Sequence, residues 1–196
     1  MDTARIGPNA ILQLIPLLDR ALGPVGRRAL FARAGVAEPA PDSGMLAQDQ
    51  VIRLHRAVRE DLPDLATSLA RESGLATGDY ILAHRIPGFA RTLIRSLPHP
   101  LGARLLSAAI AKHAWTFAGS GVFAIERHRP LTVTIAANPL AVGPRCDWHA
   151  AVFERLFGAL VWPKVQVVET ACCGCGDPVC RFEIGPCNRV LIDSKM

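Results

Sequence analysis

The chain has 196 residues, of which 50% are hydrophobic and 20% are charged, so it can bury a core and is not intrinsically disordered. Its formal charge of +5 comes mainly from scattered arginines, which argues against a dedicated nucleic-acid-binding face. No apolar run reaches the roughly 18 residues that a membrane-spanning helix needs. The N-terminus also lacks the pattern of a secretory signal, so we expect a cytoplasmic protein without a transmembrane segment.

The first half of the chain has the apolar spacing of α-helices, up to about residue 113. Glycine and proline separate the helical stretches, and Gly74 is placed where it could cap one of them. The predicted helices cover Asn9 to Leu22, Val25 to Ala34, a stretch from near Leu46, Leu62 to Ser73, Phe89 to Leu97, and Leu101 to His113.

The second half alternates between strands and one further helix. β-Branched and aromatic residues predict strands over Ala114 to Arg127, Leu131 to Ala137, Val165 to Ala171 and Arg181 to Ile184. Between the two hairpins, Asp147 to Val161 carries a helical apolar stripe. This order predicts an α+β fold with an N-terminal helical half packed on a small antiparallel sheet. We expect one domain over residues 1–196, with the sheet and cysteine part at about 114–187.

The six cysteines are distributed unevenly, since none precedes Cys146 and five lie between Cys172 and Cys187. In a reducing compartment they should not form disulfides. Glycines and an Asp-Pro pair supply tight turns that bring Cys172 and Cys180 to the facing ends of two strands. Thiolates held so close together indicate a metal site.

Spacing alone leaves the ligand set open. One set is local: Cys172, Cys175, Cys180 and Cys187. The other joins Cys146 and Glu169 to Cys172 and Cys180, with His149 as a replacement if the glutamate is not a ligand. The run Cys-x2-Cys-x4-Cys is not a standard iron–sulfur pattern, which favours zinc. Four protein ligands would leave no open position, so the metal would be structural.

Cys146, Glu169, Cys172 and Cys180 follow one another at intervals of 23, 3 and 8 residues. This pattern resembles the zinc-binding signature of the 4-vinyl reductase domain family, which includes the effector-sensing domains of phenol- and xylene-responsive transcription activators. The resemblance implies the second ligand set and a structural zinc ion. Residues 169 and 172 have opposite parity, so a regular strand would point them to opposite faces, and a bulge near Ala171 is required.

Three further segments are similar to family members that act in bacteriochlorophyll synthesis: Gly7 to Ile11, His113 to Phe123, and the Asn138-Pro139 pair. The resemblance implies a helical half packed on a small antiparallel sheet, shared with transport-complex subunits and similar to haem-based nitric-oxide sensors. Related domains pair through their helical halves, so it also implies a possible homodimer.

Trp115, Phe117 and Phe123 are spaced to share one face of a strand, and Phe89 could form an opposite wall. Spacing alone favours a core role for these aromatic residues, whereas the resemblance favours a pocket for a large flat ligand. His113 is the predicted axial ligand of a tetrapyrrole magnesium, with His84, His99 and His149 as alternatives. Arg85, Arg91 and Arg95 could pair with pigment carboxylates or form a solvated helix face.

The sequence shows no hydride source, although Gly119 to Ala124 formally fits G-x-G-x-x-A. A dinucleotide site needs a strand before that motif and a helix after it, and a strand is expected after it here. The first hypothesis implied by the resemblance is a protein that binds a Mg-tetrapyrrole precursor, similar to divinyl protochlorophyllide, and presents it to chlorophyll-pathway enzymes. The alternatives are the vinyl reductase itself with an external electron donor, and a sensor domain for small aromatic ligands.

Overall fold

The computed structural model describes residues 4–187, which form eight helices, six strands and one 3-10 turn. The helices are α1 (Asn9–Leu12), α2 (Ile15–Ala34), α3 (Gln48–Asp61), α4 (Pro63–His84), α5 (Gly88–Ser96), α6 (His99–Lys112), α7 (Trp115–Ala118) and α8 (Asp147–Leu160). The strands are β1 (Arg5–Ile6), β2 (Leu46–Ala47), β3 (Val122–His128), β4 (Leu131–Ala136), β5 (Val165–Ala171) and β6 (Val179–Pro186).

The last four strands form one antiparallel sheet in the order β3-β4-β6-β5. Because β4 and β6 are the two inner strands, their side chains are the most deeply buried of the sheet. The short strands β1 and β2 pair separately beside the helices. The predicted α+β fold, with a helical half followed by a small antiparallel sheet, is confirmed.

The helical half and the sheet meet at α8, which packs between α4 and the strands. Phe153 and Phe157 on this helix and Phe182 on β6 are fully buried at that junction. Gly74 and Gly78 let α4 approach α8 closely, since a Cβ at Gly74 would lie 2.4 Å from the Trp148 carbonyl oxygen. The expectation that Gly74 caps a helix was therefore wrong, because this glycine serves helix packing and α4 continues to His84.

The predicted strand from Ala114 was also wrong in its first part. Trp115 and Phe117 lie in α7, and the strand begins only at Val122. Local backbone bonds explain the difference, because the Phe117 and Ala118 N–H groups both donate to the Ala114 carbonyl oxygen. Trp115, Phe117 and Phe123 consequently do not share one face of a strand.

The first predicted helix is divided in two, with α1 ending at Leu12 and α2 beginning at Ile15. The α2 segment bends at Gly23, whose φ of 69° is in the left-handed region that favours glycine. Among the described residues, no helix combines the length and the hydropathy that a bilayer crossing requires.

Candidate metal centre

Four side chains from separate parts of the chain converge at one end of the sheet: Cys146, Glu169, Cys172 and Cys180. Cys146 is the residue before α8, Glu169 lies in β5, Cys172 follows β5, and Cys180 lies in β6. Their potential ligand atoms all lie within 4.8 Å of one another. The Cys146 sulfur is 3.1 Å from that of Cys180 and 3.6 Å from that of Cys172. The three cysteines are buried, so these sulfurs face one another and not solvent.

An irregularity in β5 makes this convergence possible. The pairing of β5 with β6 shifts register between Glu169 and Ala171, which places a bulge where the opposite parity of residues 169 and 172 required one. The expectation of a bulge near Ala171 is confirmed. Beyond it, the chain turns sharply, and Asp177 accepts a hydrogen bond of 2.8 Å from the Cys172 N–H group.

The turn after Cys172 lies directly against the segment that precedes α8. At Gly174, an added Cβ would come within 1.8 Å of the Gly143 carbonyl oxygen, so only glycine fits there. The close approach brings the turn carrying Cys172 next to the loop carrying Cys146. It also explains why the cysteine segment is rich in glycine.

Several hydrogen-bond donors point at the cluster, as expected around thiolates and a carboxylate. Asn138 directs its side-chain amide at two sulfurs, 3.4 Å from Cys146 and 3.3 Å from Cys180. The backbone N–H of Cys173 donates to the Cys180 sulfur at 3.3 Å. The Cys146 N–H group donates to Oε2 of Glu169 at 2.8 Å. Such donors stabilise negative charge on the acceptor atoms.

The other oxygen of Glu169, Oε1, is buried without a hydrogen-bond partner. A buried carboxylate oxygen without a partner carries a large desolvation cost, which a cation beside it would offset. Three sulfurs and one carboxylate oxygen form a donor set that zinc takes in proteins. The four residues can therefore hold one metal ion, and they would fill a tetrahedral coordination shell.

The pKa values of the three thiols describe the cluster without an ion. The pair Cys146 and Cys180 share a hydrogen bond, which raises the pKa of Cys146 and lowers that of Cys180 to about 6. Burial raises the pKa of Cys172 to about 12. A single negative charge is thus favoured on Cys180, and a bound cation would have to displace protons from the other two thiols.

The remaining cysteines lie outside the group. Cys173 is half-buried, and Cys175 and Cys187 are exposed. The purely local set of Cys172, Cys175, Cys180 and Cys187 is not brought together, whereas the set containing Cys146 and Glu169 is.

Two neighbours complete the surroundings of the cluster. His149 is buried and contacts the Asn138 amide at 3.5 Å, but it is not one of the four converging residues. Burial lowers the pKa of His149 to about 4. The role of Asn138 was missed from the sequence, where it was expected only to end a strand. Its contacts depend on tertiary structure, and the sole sequence signal was that the Asn138-Pro139 pair formed part of the family resemblance.

The residues predicted to bind a flat ligand fall into two groups. Phe117 and Phe123 are half-buried and meet edge to face, with ring centroids 5.6 Å apart, and both also contact Phe153. Trp115, His113 and Phe89 are exposed instead. A cavity of about 20 Å³ lies beside Cys146 and is lined by His55, Arg59 and Trp148, among others, and by none of the five predicted residues.

The alternative axial ligands and the three arginines are distributed over the helical half. His84 is exposed and contacts the ring of Tyr80, whereas His99 lies near Trp162. Arg95 donates to the carbonyl oxygen of Ala159. The other two arginines named as possible carboxylate partners, Arg85 and Arg91, are exposed and half-buried respectively.

The glycine motif has the opposite context to a dinucleotide site, because α7 precedes it and β3 follows it. This agrees with the expectation that Gly119 and Gly121 do not bind a nicotinamide cofactor.

Comparison with known proteins defines the class of the chain. The family model of the 4-vinyl reductase domain matches residues 131–186, the part that contains all four converging residues. The chain belongs to the 4-vinyl reductase domain family, as the spacing of its cysteines and glutamate indicated.

Two relatives resemble the chain over nearly its whole length. One, from Cereibacter sphaeroides, is called bacteriochlorophyll synthase 23 kDa chain and is 60% identical over 190 residues, covering 94% of this chain and 92% of the relative. A protein of the same name from Rhodobacter capsulatus is 57% identical over 189 residues, covering 94% and 89% of the two chains. These names connect the family to bacteriochlorophyll biosynthesis.

Solved structures of H-NOX proteins share the fold. One from S. oneidensis, in the Fe(II)NO ligation state, has a TM-score of 0.53 at 11% identity and covers 93% of this chain and all of its own. An unliganded Fe(II) mutant from K. algicida has a TM-score of 0.56 at 10% identity, covering 94% and 98%. At such low identity the likeness establishes the fold alone, and it agrees with the expected similarity to nitric-oxide sensors.

Proposed function

We propose that this chain acts in bacteriochlorophyll biosynthesis by binding a Mg-tetrapyrrole precursor, similar to divinyl protochlorophyllide, and presenting it to enzymes of that pathway. The observation that carries the proposal is the near-full-length identity of 60% and 57% to two bacteriochlorophyll synthase 23 kDa chains. The shared fold supports it, because an H-NOX structure solved to study haem distortion matches with a TM-score of 0.58, and haem is also a metallotetrapyrrole.

The proposed metal is zinc, held by Cys146, Glu169, Cys172 and Cys180. Zinc would supply a fixed tetrahedral junction with no open position, and hence structure and not catalysis. The ion would tie the beginning of α8 to β5 and β6, while Asn138 orients two of the sulfurs. Since the same helix packs against α4, the ion would hold the sheet in place against the helical half.

The proposed pigment contacts are His113, Trp115, Phe117, Phe123 and Phe89. His113 ends α6 and is exposed, so a neutral imidazole there is available to coordinate magnesium. Trp115 is 59% exposed two residues later and offers a flat apolar surface. Phe117 and Phe123 are half-buried behind them and could line the inner side of such a site.

A spectral titration tests this proposal. The full chain is mixed with divinyl protochlorophyllide, first alone and then with a chemical reductant, and its absorption spectrum is recorded. We expect a shifted pigment band, no monovinyl product, and at least a tenfold loss of affinity in His113→Ala, on the order of one lost ligand bond. The matched control is His128→Ala, which removes another exposed histidine, at the end of β3.

Two results would contradict the carrier role. Conversion to the monovinyl pigment would make the protein the reductase. Tight binding of phenol in a calorimeter, with no spectral response to the pigment, would make it a sensor of small aromatic ligands.

A further inference from the structure

One continuous part of the chain is cationic and exposes apolar side chains. Residues 80–125, here called the cationic apolar segment, contain no Asp or Glu. Five of the 22 basic residues lie in the segment, and the 17 outside it equal the 17 acidic residues. The whole formal charge of +5 therefore resides in these 46 residues, where the basic side chains are Arg85, Arg91, Arg95, Arg104 and Lys112.

The same segment contains most of the large apolar side chains that the described residues expose. Nine such side chains are exposed, and six of them lie in the segment: Phe89, Leu93, Leu101, Leu105, Trp115 and Val122. A contiguous exposed apolar patch is uncommon on proteins without a partner, whereas isolated exposed apolar residues are ordinary. The clustering thus indicates a surface that is covered in use.

The geometry of the helices places these side chains on an outer surface. In α5, Phe89 and Leu93 are one turn apart and 78% and 49% exposed, while Ile94 is buried. In α6, Leu101 and Leu105 are likewise one turn apart and exposed, while Gly102 packs on Ile94 of α5. The two helices bury their shared side and leave a leucine pair or a Phe–Leu pair on each outer side, which is the pattern of amphipathic helices.

We propose that the cationic apolar segment docks on the surface of a lipid bilayer that contains anionic headgroups. Amphipathic helices with apolar residues on one side and basic residues around them bind in the headgroup region, and tryptophan prefers that depth. The absence of acidic residues makes the charge complementary to an anionic surface. A second copy of the chain does not fit as well, because a symmetric contact would bring two cationic segments together with no carboxylate to pair them.

Vesicle sedimentation tests the proposal, with the full chain and vesicles that contain no pigment. The chain should sediment with vesicles of phosphatidylcholine and phosphatidylglycerol at low salt, and with neither pure phosphatidylcholine nor the mixed vesicles at molar salt. Because no pigment is present, failure here leaves the proposed pigment carrier untouched, and failure of the spectral titration leaves this proposal untouched.

Two pairs of variants, with matched controls, separate the apolar and the charge contributions. Leu93→Ser with Leu105→Ser removes apolar area, and its control is Leu65→Ser with Val168→Thr, two similarly exposed residues elsewhere. Arg91→Glu with Arg104→Glu changes the charge, and its control is Arg28→Glu with Arg56→Glu, which changes the charge equally outside the segment. Phe89 and Trp115 are left intact because the proposed pigment site includes them.

We expect both segment variants to bind the mixed vesicles at least about tenfold more weakly, and both controls to bind them like the unchanged chain. Circular dichroism establishes that each variant is folded, and the charge variant alone suffices if the leucine variant does not fold. The proposal is overturned if the unchanged chain does not sediment with the mixed vesicles, or if controls and segment variants lose binding equally. It is also overturned if the leucine variant merely converts a dimer into a monomer.

Discussion

The cysteine cluster and the cationic apolar segment are opposite kinds of surface in one small protein. At the cluster, three cysteines and a glutamate point inward, and a buried oxygen of Glu169 lacks a partner. In the segment, apolar side chains such as Phe89 and Trp115 point outward with only basic residues around them. The comparison teaches that each region is incomplete by itself: the first requires a cation within, and the second requires an apolar, anionic surface outside.

The largest effect should follow from removing one ligand of the cluster. Cys180→Ala should lower the free energy of unfolding by more than about 4 kcal/mol, because loss of a structural metal is among the most damaging single changes. Thermal unfolding followed by circular dichroism measures it. Cys187→Ala is the matched control, since that side chain is exposed and outside the cluster, and its unfolding temperature should stay within error. Equal unfolding temperatures for both variants would show that the cluster does not stabilise the fold.

A second change tests whether the helical half is joined rigidly to the cluster through α8. Gly74→Leu should destabilise the protein by about 3 kcal/mol, because the new side chain would collide with Trp148 and Ala151 of that helix. Thr67→Leu adds a leucine to the exposed side of the same helix and should change stability little. Denaturant unfolding compares the two. Equal stability of the two variants would mean that the α4–α8 contact is looser than described.

A smaller effect is expected at Asn138, which contacts the cluster without being one of its four residues. Asn138→Asp keeps the side-chain oxygen that accepts from the Leu140 N–H, but it removes the amide donor to the Cys146 and Cys180 sulfurs. Zinc should then bind roughly 10- to 100-fold more weakly, as for other residues that support metal ligands. Competition with a chromogenic chelator gives the affinity. Unchanged affinity would exclude a role for these hydrogen bonds in holding the metal.

Proton release is the finest test of the cluster's electrostatics. Near pH 7.5, Cys180 with a pKa of about 6 is already a thiolate, whereas Cys172 with a pKa of about 12 and Cys146 with a raised pKa keep their protons. Zinc binding to the metal-free chain should therefore release about two protons, and the affinity should rise with pH because higher pH favours the thiolates. Calorimetry in buffers of different ionisation enthalpy counts these protons. Release of none would contradict the assigned protonation of the thiols.

The sequence was sufficient for the cluster because its members follow at fixed intervals. The parity of residues 169 and 172 even required the bulge that β5 contains. Asn138 could not be predicted, because its contacts with two sulfurs depend on how β4, α8 and β6 pack together. Interval patterns therefore reveal ligands, while the residues that support them appear only in the folded structure.

The errors in the helical half have a common physical cause. Gly74 has the same local propensity whether it ends a helix or allows two helices to touch, and only the packing against α8 distinguishes these roles. Trp115 and Phe117 favour strands intrinsically, yet the backbone bonds to Ala114 fold them into α7. An apolar residue at a helical spacing also predicts burial, so the exposure of Phe89 and Leu93 could not be anticipated.

Metal analysis of the full chain, purified without a chelator, is the most direct test of the proposed zinc site. Mass spectrometry of metal content should find about one zinc ion per chain in the unchanged protein, since four ligands fill one tetrahedral site. The Cys172→Ser variant should contain little or none. An unchanged protein without bound metal, or a Cys172→Ser variant that retains zinc fully, would contradict the assignment of Cys146, Glu169, Cys172 and Cys180 as the ligands.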